Sequence, residues 1–168
     1  MITQYLSFQL AGEEFAFGIL RVKEILEYDT LTRVPSAPPA VRGVINLRGS
    51  VVPVLDLALL FGLPATAVTK RSCVIIVEVR ADGQELVMGI LADAVNQVIE
   101  LAPETIEPPP AFGSRVRVEF LVGMGKMDSR KFVLILDIDR LLGDISPAAA
   151  AAVAQPEAAA EAAPAEVA

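Results

Sequence analysis

A set of motifs that recurs in the same order most strongly constrains the fold of this chain. Phe15–Leu20 and Leu86–Leu91 share an apolar pattern around a glycine. Val22–Glu27 follows the first block, and Val95–Glu100 follows the second with two extra residues between them. A proline-rich connector then precedes a final apolar hairpin in both copies. Four matching blocks in one order predict two similar structural units.

The blocks indicate short strands. Tyr5–Leu10 alternates, with Leu6, Phe8 and Leu10 on one face, and Phe15–Ile19 is its predicted hairpin partner. Two more hairpins are predicted, Ser72–Val79 with Glu85–Leu91 and Glu119–Lys126 with Lys131–Leu136. About five short strands in each copy favour two small closed sheets, because closure hides apolar strand edges.

Each final hairpin ends in an aspartate followed by a short apolar helical pattern and a glycine. We expect Asp56 and Asp137 to cap these helices by accepting hydrogen bonds from free N–H groups. Gly62 and Gly143 are the predicted helix stops.

Composition excludes several classes of function. The 168 residues carry a net charge of −7 and no histidine, which disfavours nucleic-acid binding and removes the commonest general base and zinc ligand. No apolar run reaches membrane-spanning length and no signal peptide is evident, so we expect a cytoplasmic protein without direct membrane insertion.

The lone Cys73 lies in an apolar run and is expected to be buried and inert. Residues 147–168, rich in alanine and proline, are predicted to be disordered or partly helical.

Catalytic motifs are absent from the sequence, and we expect no catalytic residue, no cofactor and no metal. Asp137 and Asp139 could share one face of a strand as a metal or acid–base pair. A helix cap beside a solvated carboxylate in the first turn explains the two aspartates without a metal and is the preferred interpretation.

Arg48 is a bulky cation at the tip of an apolar hairpin. The segment Val41–Leu57, VRGVINLRGSVVPVLDL, has β-branched residues on both sides of a turn that contains Gly49. The guanidinium can therefore be presented to a carboxylate on a partner. Alternatively, it pairs with a carboxylate of this chain and locks the hairpin.

This segment closely resembles the most recognisable motif of the CheW family, the coupling proteins of bacterial chemosensory arrays. The upstream FGILRVKEILE and TRVPSAPP and the later FLVGMG resemble the family too. The resemblance implies a CheW-like domain over residues 1–146, with two tandem SH3-like five-stranded barrels. The first barrel would be centred on about residues 14–70 and the second on about 71–146, with sharing of the N-terminal strand left open.

The resemblance also implies a non-catalytic adaptor. Such a protein would couple the cytoplasmic tips of methyl-accepting chemoreceptors to the regulatory domain of a CheA-type histidine kinase, at the membrane-associated array. Weak self-association into rings is a further implication. The kinase-binding residues and the pathway stay undetermined. Two alternatives are open, an adaptor of a sister pathway such as surface motility and a small-ligand or metal-dependent β-barrel enzyme.

Matching the motifs position by position implies receptor contact for six residues: Val22, Glu24, Gly43, Arg48, Gly89 and Val95. Glu24 and Arg48 could form charge-assisted hydrogen bonds, and the two valines could meet an apolar helix face. Each assignment has a structural alternative. The valines could belong to the core, and the glycines could be needed only where a side chain would clash.

Overall fold

The structure, a computed structural model, describes residues 2–35, 38–81, 83–108, 120–128 and 131–143. Residues 147–168, predicted from their composition to lack a packed fold, and Glu119 of a predicted strand lie outside these ranges. In chain order, strands β1 to β11 span Thr3–Leu10, Glu13–Gly18, Val22–Glu27, Val41–Leu47, Ser50–Leu55, Cys73–Ala81, Gln84–Ala92, Ala94–Leu101, Ile106–Glu107, Leu121–Asp128 and Lys131–Leu136. Helices α1 and α2 span Leu57–Leu60 and Ile138–Gly143, and two 3-10 turns cover Ile19–Arg21 and Pro103–Thr105.

The strands form two sheets, which confirms the predicted mainly β class with short helices. The five-stranded sheet has the order β3-β6-β7-β5-β4, and the six-stranded sheet has the order β8-β1-β2-β11-β10-β9. In both sheets the central contact between copies is a short parallel pairing, of β5 with β7 and of β2 with β11. The two sheets thus share one topology.

Each sheet combines strands from both copies of the repeat. Hairpin β6–β7 of the second copy completes the sheet that contains β3, β4 and β5, while β1–β2 completes the sheet of the second copy. The sheets therefore do not follow the expected halves, residues 14–70 and 71–146. The physical reason is that equivalent hairpins can form the same ladder with either copy. A repeat identifies equivalent strands but does not identify their pairing partners.

Strand register also revises the alignment of the two copies. Gly89 lies opposite Val54 in the five-stranded sheet, and Ala16 lies opposite Ile135 at the equivalent place in the other sheet. The structural counterpart of Gly89 is therefore Ala16, whereas the sequence pattern matched it with Gly18.

This two-residue shift removes the insertion inferred from sequence. Val22 follows Ala16 by six residues, and Val95 follows Gly89 by six residues. Both valines also precede a β-bulge, in β3 and in β8 respectively. The repeat is therefore more regular in space than its motifs suggested.

The chain that leaves one edge of each sheet reaches the other edge. Beyond β3, Thr32 and Val44 exchange two backbone hydrogen bonds, of 3.0 and 2.8 Å, at the β4 edge. In the six-stranded sheet, β9 follows β8 after the second 3-10 turn and pairs with β10. Both connections curl the sheet toward closure, as the prediction of small barrels requires.

Three apolar clusters hold the described part of the chain together. One fills the five-stranded sheet and includes Val54, Val74 and Ile76, and another fills the six-stranded sheet around Val133 and Ile135. The largest cluster lies between the sheets and takes side chains from β1, β2, β6, β7 and both helices. These four strands have buried residues on both faces, which explains the continuous apolar runs in β6 and β7.

Asp56 caps α1, as predicted, and organises the loop that follows. Its fully buried carboxylate accepts hydrogen bonds from the backbone N–H of Ala58 at 3.1 Å and of Thr66 at 2.8 Å. Arg42 donates to the same carboxylate at 2.8 Å. Gly62 has φ of +77° after α1, which confirms the predicted helix stop.

Gly89 occupies a position with no room for a side chain. A Cβ atom there would lie 2.8 Å from a methyl group of Val74 and 3.2 Å from one of Val54. Gly18, the glycine that shares its sequence motif, has open space around the equivalent atom and an ordinary φ of −57°. The two glycines therefore have different roles despite the matching pattern.

We predict that Gly89→Ala lowers the free energy of unfolding by about 1–3 kcal/mol, because the added methyl overpacks the interior of the five-stranded sheet. Gly18→Ala is the matched control and should change it little. Urea denaturation followed by circular dichroism measures both. Equal effects of the two substitutions would contradict the different packing of the two glycines.

Candidate functional site

Three of the six residues implied in receptor contact lie in one row across the five-stranded sheet. The register runs from Gly43 on β4 to Val54, then to Gly89, Ile76 and finally Glu24 on β3. The row thus connects both edges of the sheet. Residues distant in sequence are brought into line by the exchanged hairpin.

Arg48 is the first residue of a two-residue hairpin turn. Arg48 and Gly49 have φ values of +52° and +89°, a pair of left-handed conformations typical of a type I′ turn. The Asn46 side-chain oxygen accepts a hydrogen bond from the Gly49 N–H at 2.9 Å and stabilises the turn. A non-glycine residue is uncommon in this conformation. The turn directs a large cation out of the β4–β5 hairpin.

The Arg48 guanidinium forms a two-point ion pair with Glu24. The Nη1–Oε2 distance is 2.6 Å and the Nη2–Oε1 distance is 3.0 Å. The Arg48 side chain is 73% exposed and that of Glu24 is 26% exposed. The alternative of an internal pair is therefore confirmed, yet most of the guanidinium surface still faces solvent.

This ion pair joins the hairpin tip to β3, which is the opposite edge of the five-stranded sheet. Together with the Thr32–Val44 bridge, it holds the two edges at separate points. The hydrogen bonds from Arg48 lower the pKa of the Glu24 carboxyl and outweigh the opposing effect of desolvation. The same hydrogen bonds raise the pKa of Arg48. Both groups are therefore held in their charged forms.

Gly43 and Gly89 are buried, so neither presents an open surface to a partner. A Cβ atom on Gly43 would lie 2.7 Å from the carbonyl oxygen of Thr32. Gly123 is in the equivalent place on β10, where such an atom would lie 2.5 Å from the carbonyl oxygen of Glu107. Close approach of the closing segment to its sheet requires glycine at both positions.

Val22 and Val95 are half-buried and pack against the cluster between the sheets. Val22 lies opposite Val77 and Val95 lies opposite Phe8, so they take equivalent places in the two sheets. Part of each side chain belongs to the core. The exposed remainder is the part that a partner could contact.

The two aspartates considered as a metal pair have separate structural partners. Asp137 accepts a hydrogen bond from the Arg140 backbone N–H at 3.2 Å, which confirms its predicted capping role. Asp139 accepts one from the Arg80 backbone N–H at 3.2 Å and forms an ion pair with Arg21. Within the described ranges, no group of three or more metal-ligating side chains occurs.

Cys73 is buried in the cluster between the sheets, as expected. Burial raises the pKa of its thiol, which disfavours the reactive thiolate. This cysteine therefore behaves as a core residue.

Two pairs of exposed apolar residues were missed by the sequence reasoning. Ile25 on β3 and Val98 on β8 occupy equivalent positions after the bulges, and Val98 is 49% exposed. Val51 on β5 and Phe132 on β11 are likewise equivalent, and Phe132 is 42% exposed. The sequence feature that could have revealed these residues is the repeat, because an apolar residue recurs at the same position on the solvent face of both copies.

Comparison with known proteins identifies the family. A family model described as a CheW-like domain matches residues 4–146. The chain belongs to the CheW family. It is 37% identical over 139 residues to the chemotaxis protein CheW of Klebsiella aerogenes, covering 83% of this chain and 81% of that protein. It is 33% identical over 141 residues to the CheW of Helicobacter pylori, covering 84% and 82%.

A solved structure of the family has the same fold. The crystal structure of the scaffolding protein TtCheW from Thermoanaerobacter tengcongensis matches with a TM-score of 0.73 and 34% identity, covering 84% of this chain and 88% of that chain. The CheW family comprises scaffold and coupling proteins of chemotaxis, and this chain shares that general role. Neither helix in the described part of the chain is long and apolar enough to cross a membrane.

We predict that Arg48→Gln raises the pKa of Glu24, because the hydrogen bonds that favour its carboxylate are removed. A carboxyl whose pKa is lower in the folded state than in the unfolded state stabilises the fold at pH values above the unfolded pKa. That contribution is lost as the pH falls through the lowered value. NMR titration of the side-chain carboxyl resonance measures the change, with Arg33→Gln as a control that leaves the pair intact. An unchanged Glu24 pKa in Arg48→Gln would show that the ion pair does not form in solution.

Proposed function

We propose that this chain is a non-catalytic adaptor that couples methyl-accepting chemoreceptors to a CheA-type histidine kinase. Its place would be the cytoplasmic side of the membrane-associated array. Membership of the CheW family supports the adaptor role. The observation that carries the receptor assignment is Arg48, held rigidly at a hairpin tip by Glu24 with most of its surface in solvent.

The geometry of this pair suits recognition of a polar helical hairpin. A guanidinium has five N–H donors, and Glu24 accepts from only two of its nitrogens on one side. The remaining donors can bind a carboxylate or carbonyl on the receptor without loss of the internal pair. The Glu24 pair also fixes the long side chain, which reduces the entropy lost on binding.

The other implied contact residues support the same surface in two different ways. Val22 and Val95 offer partly exposed apolar side chains that could pack against a helix face. Gly43 and Gly89 keep the five-stranded sheet closely packed beneath it. An aspartate at Gly89 would therefore impair assembly by disturbing the sheet interior, rather than by blocking a contact directly.

We predict that Arg48→Ala weakens receptor binding while the free energy of unfolding changes little, because exposed ion pairs add little stability. The matched control is Arg80→Ala, which removes another exposed arginine that is paired with a glutamate, Glu85 at 3.7 Å. Co-sedimentation with a receptor cytoplasmic fragment measures binding. Equal retention of the Arg48→Ala variant and the parent protein would refute the receptor assignment of this residue.

Kinase contact is proposed to use the repeated exposed apolar residues. Val51 and Phe132 occupy equivalent positions on the two barrels, so each barrel could dock on a similar domain with an apolar side chain. The same equivalence would permit weak ring formation by copies of the chain. A contact at Phe132, on β11 of the six-stranded sheet, would leave the Arg48 hairpin of the other sheet available to the receptor.

We predict that Phe132→Asp lowers affinity for the kinase regulatory domain at least about tenfold, as expected when an apolar anchor is replaced by a charge. Receptor co-sedimentation should persist. Val68→Asp is the control, because it places the same charge at an apolar residue of similar exposure, 43%, in the loop after α1. Kinase binding at parental strength by the Phe132→Asp variant would exclude this residue from the interface.

A further inference from the structure

A groove of about 610 Å³ lies beside the five-stranded sheet, away from the Arg48 hairpin tip. Its walls come from the segment after β3, the start of β4, helix α1 and the loop after α1. The lining combines apolar side chains such as Leu31, Pro39 and Leu59 with two hydroxyl-bearing residues, Tyr28 and Thr30. This volume is typical of a ligand-binding groove.

Among the described residues, every charged side chain that lines the groove is an arginine. Arg33 is exposed and forms no ion pair with any residue in the described ranges. Arg42 uses only Nη1, which donates to the Asp56 carboxylate at 2.8 Å and to the Thr66 carbonyl at 3.0 Å. Its Nε and Nη2 have no hydrogen-bond partner among the described residues. The buried aspartate thus fixes the guanidinium at the groove wall and leaves donors free.

Further positive charge lies next to the groove. The backbone N–H of Tyr28 donates to the carbonyl of Ser72 at 3.1 Å, which brings the turn that contains Lys70 and Arg71 beside this wall. Both residues are exposed and neither forms an ion pair within the described part of the chain. Two acidic residues, Glu27 and Asp29, lie near the same wall but line a separate cavity, and neither lines the groove. The patch is therefore basic on a chain whose net charge is −7.

The part of the chain that follows α2 has complementary chemistry. Residues 144–168, here called the tail, contain Asp144, Glu157, Glu161 and Glu166 and no lysine or arginine. The other tail residues are mostly alanine and proline, which are small and apolar enough to lie along the groove. Like charges elsewhere on the acidic surface would repel the tail, whereas the arginines of the groove would attract it.

The tail is long enough to reach any surface of the domain. Its 25 residues can extend to about 80 Å, while a domain of this size has a radius of gyration of about 15 Å. Covalent attachment gives the tail an effective concentration on the order of millimolar, so a weak contact suffices for docking.

We propose that the acidic tail docks in this groove of its own chain, with the tail glutamates against Arg33 and Arg42. This contact is separate from the proposed receptor and kinase surfaces. It would shield the basic groove from acidic segments of other proteins. An acidic partner segment would then have to displace the tail before it could bind.

Paramagnetic relaxation in the full-length protein tests the proposal. A nitroxide is attached through the thiol of the Ala162→Cys variant. The native Cys73 should not react with the label, because it is buried and its thiol pKa is raised. Amide resonances of Thr30, Arg33 and Leu59 should lose the most intensity relative to the reduced label. Salt should reverse the effect, because the Debye length falls from about 10 Å at 0.1 M to about 3 Å at 1 M.

Charge variants of the labelled full-length chain identify the contact. Arg33→Glu should abolish the broadening at the groove, and so should joint replacement of Glu157, Glu161 and Glu166 by glutamine. Lys126→Glu is a similar change at an exposed lysine on β10 that forms no ion pair with a described residue, and it should leave the broadening unchanged. Intact amide spectra of all variants show that the fold is retained.

Three results would overturn the proposal. The broadening could be uniform or strongest on another surface, or it could survive Arg33→Glu. The third result comes from a mixture of two chains, one that carries the nitroxide without the NMR isotope and one that carries the isotope without the nitroxide. Broadening at the groove in this mixture would assign the contact to a second copy of the chain.

Discussion

The fold depends on burial of two exchanged hairpins on both of their faces. Hairpins β1–β2 and β6–β7 each fill a sheet with one face and build the cluster between the sheets with the other. Neither sheet can form from one copy of the repeat alone, because each lacks its central strands without the other copy. We therefore expect the two barrels to unfold as one cooperative unit rather than as independent domains.

The same constraint places the candidate receptor surface. Gly89 enters the five-stranded sheet on the exchanged hairpin and aligns with Gly43 and Glu24 across five strands. The absence of side chains at the two glycines allows close packing, and this packing supports both edges of the sheet. Glu24 then anchors Arg48 from one edge to the hairpin at the other. A rigid base thus presents one long, charged side chain at a defined position.

Local features of this architecture were predictable from sequence, whereas pairing between distant segments was not. Alternating patterns located the hairpins, and the aspartate caps at Asp56 and Asp137 followed from their place between a strand and an apolar helical run. The exchange of hairpins escaped prediction because strands from either copy are chemically equivalent. The match of Gly18 with Gly89 was wrong by two residues, since the motif contains apolar residues at every nearby position and its register is set only by tertiary packing.

At the candidate site, too, individual residues were predictable from sequence, whereas contacts between distant residues were not. Sequence and family resemblance selected Glu24 and Arg48 separately, but only the structure joins them in a two-point ion pair. The exposure of Val51 and Phe132 was missed because an apolar residue in an apolar strand is usually buried, although the repeat places the two at equivalent positions. Which face is covered depends on the exchanged hairpins. The receptor and kinase contacts stay predictions drawn from surface geometry and family membership.

Reconstitution of signalling tests the adaptor role most directly. The purified chain is mixed with a receptor cytoplasmic fragment and a CheA-type kinase, and autophosphorylation of the kinase is measured. We expect phosphorylation to rise above that of the kinase and receptor alone and to depend on the amount of chain added. An unchanged rate across all concentrations of chain, with both partners active and the chain folded, would contradict the account.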